Sequence, residues 1–406
     1  MALVAAAAAS PAPSSSGGFP LLALVLLRLL PLLLVLFARA DCDLGLLLRG
    51  PAPADAFRGK VVWVTGASQG LGEELARALA ARGARLVLTS RSREKLEAVA
   101  RALPPDGRRG SAPPAVILPL DLASATQLEF ERAAADADAS FGGAGVDVLL
   151  HVAGGSQHSL AGETSDAVTR AVFALNAEGP IKLTRAALPY LTGSKGKGVD
   201  GGGGGGGSGG GGSSGSSGQR QQQQQPQQSK KNTPARERRV VAVCSAAALC
   251  PSPGEAVYSA AKGALLAYLR SLASEAADTP LRVTIACPGP IATGTDDKPR
   301  VIFGAEGVQA PPAPGAPKRS SKGRLAPRRC AELVLAAAAH GVDEAWLSRH
   351  PVLLLMHVMQ FAPPVGRALM RVVGPKRARG MHTGESSGYD VRALLFGGGK
   401  GGKKAA

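Results

Sequence analysis

Cysteine is scarce in this sequence: the five present, Cys42, Cys244, Cys250, Cys287 and Cys330, are odd in number and follow neither a paired nor a metal-ligand spacing. That argues against a disulfide framework and against a zinc site, and no metal is expected. A reducing compartment is compatible with it. Carboxylates are also short, with 30 Asp and Glu against 47 Lys and Arg for a net charge of +17. Such an excess invites a nucleic-acid reading, so its distribution matters more than its size. Residues 192–239 hold eight basic and two acidic side chains, residues 296–329 eight and three, and residues 366–406 nine and two, which leaves the rest nearly neutral. None of these segments carries a recognisable nucleic-acid fold. No nucleic-acid partner is expected; solubilising loops or attraction to an anionic membrane surface suit the pattern better.

Apolar residues are nearly absent from one long stretch. Thr192 to Arg238 contains Gly201 to Gly207, further Gly/Ser repeats and Gln221 to Gln225. Nothing there offsets the entropy of ordering, so residues 192–238 are expected to form a disordered insert. A polar, alanine-rich leader occupies residues 1–18, an apolar segment residues 19–38, and a basic tail residues 374–406. What remains, residues 57–350 without the insert plus an apolar segment at 351–373, fits one domain with a full core.

Lys60 to Val64 is a short apolar run, and Thr65-Gly66-Ala67-Ser68-Gln69-Gly70-Leu71-Gly72 turns from it into a strongly helical pattern starting at Glu73. Strand, glycine turn and helix in that order suit a pyrophosphate, because the backbone must approach the anion closely while the helix N-terminus faces it. The next strand, Arg85 to Thr89, completes a βαβ unit and ends in Ser90-Arg91, with Arg93 following. An NAD enzyme places a carboxylate there for the ribose hydroxyls; a cation without one favours NADP(H). Further strands run from Ala115 to Leu120, ending in Asp121, and from Val146 to Val152, ending in Ala153-Gly154. Asp121 either accepts from the adenine amine or caps the next helix. The alternation predicts an α/β fold, a Rossmann-type doubly wound parallel sheet with its ligand at the carboxyl ends of the strands.

Past the insert, the strand Val240 to Cys244 ends at Ser245, and Tyr258 and Lys262 stand four apart at the start of a long helix, on one face. Carbonyl reduction needs a proton donor beside the oxygen that gains charge as hydride reaches carbon. A phenol with a pKa near 10 is too weak alone, but an adjacent ammonium stabilises the phenolate. Ser245 is placed to hold the substrate oxygen, Lys262 to reach the nicotinamide ribose as well, and Asn176 to tie a water to the lysine. Cys287-Pro288-Gly289-Pro290 then closes another strand.

In this order these motifs resemble the short-chain dehydrogenase/reductase family, whose glycine motif, Asn, Ser and YxxxK match Gly66/Gly70/Gly72, Asn176, Ser245 and Tyr258/Lys262. The likeness covers residues 57–350 apart from the insert. It implies catalysis by Ser245, Tyr258, Lys262 and Asn176. It also implies a cofactor site including Thr65, Gly66, Ser68, Gly70, Leu71, Gly72, Ser90, Arg91, Asp121, Ala153, Gly154, Tyr258, Lys262, Pro288 and Gly289. A narrower resemblance, to a microsomal carbonyl reductase of that family, rests on Arg39 to Leu44, Val61 to Ser68, Gly72 to Ala76, Leu118 to Leu122 and Asp343 to Ser348. It implies NADPH-dependent reduction of lipophilic steroid, retinoid or xenobiotic carbonyls. One departure stands out: the family's Asn-Asn-Ala-Gly reads His151-Val152-Ala153-Gly154, without the asparagines that support the central strand and the ribose side.

Phe19 to Phe37 is long enough to cross a bilayer core, interrupted by Arg28. The leader lacks the basic start of a signal peptide, so an anchor is expected although Ala38-Arg39-Ala40 has the form of a cleavage site. Arg39, Arg49, Arg58 and Lys60 follow the segment and no Lys or Arg precedes it, which places the catalytic domain in the cytosol. The terminal Lys403-Lys404-Ala405-Ala406 has the form of an endoplasmic-reticulum retrieval signal, read on that side. The apolar block from His350 to Phe361 lies in the membrane interface, on the domain or on a homo-oligomeric partner.

Overall fold

The structure, a computed structural model, describes residues 35, 37–105, 115–193, 236–293, 301–309 and 323–382. The expected anchor at 19–38 and insert at 192–238 lie outside these except for a few residues at their ends, as do the leader at 1–18 and the tail beyond 382. No helix among the described residues is long and apolar enough to cross a membrane.

In chain order the elements are α1 (Leu44–Arg49), β1 (Val61–Thr65), α2 (Gly70–Ala80), β2 (Arg85–Thr89), α3 (Arg93–Arg101), β3 (Ala115–Ile117), α4 (Gln127–Gly143), β4 (Val148–His151) and β5 (Ser156–Gln157). They continue with α5 (Asp166–Phe173), a π turn (Ala174–Glu178), α6 (Gly179–Leu191), β6 (Arg238–Val243), α7 (Ala246–Leu249) and α8 (Ala256–Glu275). The last are β7 (Leu281–Pro288), β8 (Ile302–Phe303), α9 (Pro327–Ala339), β9 (Glu344–Leu347), α10 (Val352–Phe361) and α11 (Pro363–His382).

Seven strands form one parallel sheet in the order β3-β2-β1-β4-β6-β7-β9, and β5 pairs with β8 apart from it. Both faces are covered, which is why the strands read as unbroken apolar runs; all five residues of β1 are buried. Val62, Val64, Leu86 and Leu88 pack under α2 and α9, while Val61, Trp63, Leu149 and Val240 pack under α4, α6 and α8. The chain leaves β1 in one direction through β2 and β3 and resumes on its other side with β4. That reversal sets the loops after β1 and β4 next to each other and opens a crevice at their carboxyl ends.

The domain is larger than the expected 57–350. Cys42 and Leu46 belong to the core, the backbone N–H of Trp346 donates to the Asp43 carboxylate at 2.7 Å, and Arg329 holds Asp41 at 2.8 and 3.0 Å. At the other end α11 runs through the expected tail boundary at 374 as far as His382. The insert also closes earlier than its composition suggests. Arg236 donates to the carbonyl of Ala144 at 2.7 Å and pairs with buried Asp147, fixing the chain just before β6.

Candidate active site

A cavity of about 580 Å³ occupies the crevice. At its inner end Gly66 has φ +68°, where a side chain is strained, and a Cβ there would stand 2.7 Å from the backbone of Ala153. A methyl at Gly72 would overlap the carbonyl oxygen of Gly66, so both glycines are needed to press α2 against the turn. No side chain caps the N-terminus of α2, which leaves its first N–H groups for a ligand. Ser68, Gly70, Leu71 and Gly72 line the cavity there, and Ser90 and Arg91 line it at the end of β2.

Not every expected residue reaches the cavity wall. Thr65 is fully buried behind it, its hydroxyl oxygen accepting from the N–H of Val152 at 3.1 Å and so pinning β1 to the end of β4. Asp121 accepts from the N–H of Ala123 at 3.0 Å, closing a local turn. The helix cap that Asp121 was one candidate for is Thr126, which forms a reciprocal capping box with Glu129 at the start of α4. Arg93 turns to Glu97 at 3.9 Å. Lys95 and Ser92 line the cavity instead, as does Arg324. Lys95 lies in the first turn of α3, just past Arg91, and only its nearness in sequence could have signalled it.

Ser245, Tyr258 and Lys262 all line the same cavity, together with Ala153, Gly154, Pro288 and Gly289. Ser245 caps α7: its oxygen accepts from the N–H of Ala247 at 3.1 Å, which leaves its O–H to donate. Tyr258 sits in the first turn of α8, where its backbone N–H donates to the Gln157 side chain at 3.0 Å. One turn on, Lys262 is buried and its Nζ donates to the carbonyl of Val243 at 3.2 Å. Burial holds the lysine below its ordinary pKa of 10.5, against an opposing pull from the Cys244 and Cys287 thiols. A Cβ on Gly154 would approach Lys262 Nζ to 3.5 Å and Asn176 Oδ1 to 2.8 Å, so this glycine makes room for both.

Asn176 lies in the π turn, fully buried. Its amide donates to Gly155 O at 3.0 Å and Val172 O at 2.9 Å, and its oxygen accepts from Gly155 N at 3.2 Å. The side chain therefore fixes the loop after β4. Only one lone pair of Oδ1 remains for a water toward Lys262.

His151 replaces an asparagine of the family pattern, and its Nε2 lies 2.8 Å from the hydroxyl oxygen of Thr184. That hydroxyl donates to Pro180 O at 2.8 Å, so Nε2 carries the proton and Nδ1 is an acceptor, with no hydrogen-bond partner among the described residues. Burial and the charge of Lys262 push its pKa down to about 3, which keeps it neutral.

The outer walls come from the apolar block at 350–361 and the helix after it. α10 contributes Val352, Leu355 and Val358, and α11 contributes Leu369, Met370, Val373 and Arg377. Arg377 faces Glu255 at 3.7 Å, and both are buried. Cys250 lines the same region, its thiol pushed up to about 11 by burial. The apolar block at 350–361 is thus packed on the domain. Leu354 lines the cavity as well while staying half exposed, and Phe361, with Val365 and Val372 of α11, is exposed.

A parallel doubly wound sheet, a glycine turn at its switch point and a Ser, Tyr and Lys converging on one cavity define a nucleotide-dependent oxidoreductase. The family model described as short chain dehydrogenase matches residues 60–200 and 232–300, and the chain belongs to that family. It is similar to dehydrogenase/reductase SDR family member 7 of Homo sapiens, 29% identical over 89% of this chain and 91% of that protein. The Mus musculus protein of the same name is 30% identical over 85% and 87%. Among solved structures, a short chain dehydrogenase from Burkholderia cenocepacia in complex with NADP aligns with TM-score 0.52 at 22% identity, over 77% of this chain and 97% of that one. A short chain dehydrogenase/reductase from Burkholderia phymatum in complex with NAD aligns with TM-score 0.53 at 20% identity, over 76% and 96%. These two likenesses show the fold.

Proposed function

We propose that the protein is an NADPH-dependent reductase of lipophilic carbonyl compounds, among them steroids, retinoids and xenobiotic ketones, aldehydes or quinones, and that it runs the reverse alcohol oxidation. The observation that carries this is the convergence of Ser245, Tyr258 and Lys262 on a cavity with an apolar outer end. The dinucleotide fits the inner end on the chain's own terms. Gly66 and Gly72 occupy positions where a Cβ would collide, α2 offers an uncapped N-terminus, and Ser90, Arg91 and Lys95 supply hydroxyl and positive charge for a 2′-phosphate.

Bound there, NADPH supplies hydride to the carbonyl carbon. Ser245 donates a hydrogen bond to the carbonyl oxygen and aligns it. Tyr258 gives that oxygen its proton, acting as general acid, and takes the proton back in alcohol oxidation. Lys262 favours the phenolate left behind and holds the ribose. Asn176 and His151 work one layer deeper, keeping Gly155 and β4 in place.

The same reading puts the protein on the cytosolic side of the endoplasmic-reticulum membrane, held by the segment at 19–38. In support, Phe37 stacks edge-on against His350 and His357 at 4.8 and 5.0 Å, so the end of that segment meets α10 beside the cavity's outer wall.

The test is Tyr258→Phe with a carbonyl panel and both NADPH and NADH. Reduction should drop by about 10² to 10⁴ while NADPH still binds, and Lys262→Ala should impair both. Turnover of Tyr258→Phe at the parent rate would instead favour an NADP-binding protein that acts through interactions.

A further inference from the structure

The helix that carries the phenol begins without a cap of its own. Glu255 stands at the N-cap of α8, and its side chain makes no capping hydrogen bond. The first N–H groups of a helix find no partner within it. Tyr258, the third residue of α8, donates its own N–H to Oε1 of Gln157 at 3.0 Å, so the acceptor comes from a distant part of the chain.

Gln157 is fully buried, and the rest of its amide is fixed as well. Its nitrogen donates to Ser159 Oγ at 3.0 Å and to Thr164 Oγ1 at 2.8 Å. Thr164 donates onward to the carbonyl of Leu160 at 2.8 Å, and Ser159 Oγ lies 3.3 Å from the carbonyl of Gly304. With both N–H bonds of the amide spent in this way, its oxygen faces Tyr258. A second tie runs beside the first, from the N–H of Ser159 to the carbonyl of Gly254 at 3.1 Å, just before α8.

Gln157 belongs to β5, which pairs with β8 through Gln157 and Phe303. Phe303 and Val301 pack with Tyr258 in one small cluster, and Val301 lines the cavity as Tyr258 does. Gln157 itself does not line the cavity. We propose that Gln157 is a positioning residue for Tyr258, capping α8 from β5 and so fixing the phenol relative to the cavity wall that Val301 forms. This rests on the reductase reading and deepens it, since it names what holds the proton donor in place.

The test sets Gln157→Met, which keeps the side chain's length and removes the acceptor, beside Gln157→Glu, which keeps an acceptor and can receive the hydroxyl of Ser159. In the full-length protein Gln157→Met should lower kcat for ketones by about 10- to 100-fold, the scale of a misplaced catalytic group, with KM and NADPH binding close to the parent. Its solvent deuterium isotope effect on kcat should rise as proton transfer slows, and Gln157→Glu should recover most of both. In a Tyr258→Phe background Gln157→Met should cost almost nothing further, because the group it positions is gone. An equal factor in both backgrounds, or parent-like kcat in Gln157→Met, overturns the proposal. If Gln157→Met does not fold, Thr164→Val carries the test by removing one of the two oxygens that hold the amide. A lower kcat with a raised isotope effect then supports the proposal, and parent values overturn it. Hydrogen exchange reads the cap without turnover: the Tyr258 amide should exchange faster in Gln157→Met than in the parent. Ketone reduction with unchanged exchange removes the cap and leaves the reductase. Faster exchange in the variant of a protein that reduces no ketone removes the reductase and leaves the cap.

Discussion

At the scale of single side chains, His151 carries the sharpest consequence. In an unfolded chain an imidazole takes up a proton near pH 6.5, whereas in the fold burial delays it to about pH 3. Between those values the unfolded state binds more protons, so stability falls as pH drops through this window. Denaturant titrations at pH 7 and pH 5 should show His151→Asn losing about 2 kcal/mol less than the parent on acidification. An equal loss in both would mean that the folded imidazole takes up its proton as readily as the unfolded one. The sequence marked His151 as a departure from the family but could not name its partner, because Thr184 comes 33 residues later and is met only once α6 packs on β4. Arg91 was legible for the opposite reason, since its place follows from the end of one strand. Arg91→Ala should weaken NADPH far more than NADH in fluorescence titrations, and adding Lys95→Ala should deepen the loss. Equal parent affinities for the two dinucleotides would reject the assignment.

At the scale of elements, the π turn Ala174–Glu178 is the feature that periodicity concealed. The run from Val172 to Asn176 reads as plain helix, and one wider turn leaves no mark on an apolar pattern. The turn brings Asn176 onto the backbone of Gly155, so one side chain joins α5 and the loop after β4. Asn176→Ala removes three buried hydrogen bonds and strands the N–H and carbonyl of Gly155. It should cost about 2 to 3 kcal/mol in denaturant unfolding and lower turnover with it. Asn176→Asp should not restore the parent, because a carboxylate accepts from Gly155 but cannot donate to Gly155 or Val172. A variant as stable as the parent would show that the loop holds its shape without the amide. The parallel, doubly wound sheet, by contrast, could be anticipated from the alternation of apolar runs and helical stretches. The short pair β5 and β8 and the edge strand β9 could not, being two to four residues long and defined by their partners.

At the scale of the whole molecule, α10 and α11 form an outer layer with two different faces. Inward they close the cavity; outward they expose Phe361, Val365 and Val372, with Arg367 and Arg371 on the same helix as the last two. That combination suits an anionic bilayer surface. A chain starting at residue 35 should sediment with vesicles containing phosphatidylserine, less so in high salt, and Phe361→Glu with Val365→Glu should release it. Failure of the truncated chain to sediment would assign membrane contact to the segment before residue 35 alone, and binding unchanged in the variant would reject this face as the contact. The division of labour between the faces was hidden in the sequence, where the block reads simply as apolar. Which residue turns inward depends on how α10 meets α7 and β9.

The insert between α6 and β6 also shapes how the chain is made. Arg236, which binds Asp147 beside the start of β4, follows it by 89 residues. At about 5 to 20 residues per second, a ribosome needs roughly 5 to 20 s to deliver the partner of β4 after β4 itself. Throughout that interval the half-sheet β3-β2-β1-β4 can assemble while the flank of β4 that β6 will cover shows unpaired N–H and C=O groups to every neighbouring nascent chain. Loop closure charges little for the added length once the protein is finished. The burden of the insert therefore falls on birth rather than on maturity: shielding by a chaperone during those seconds should govern yield far more than it governs the stability of the protein once folded.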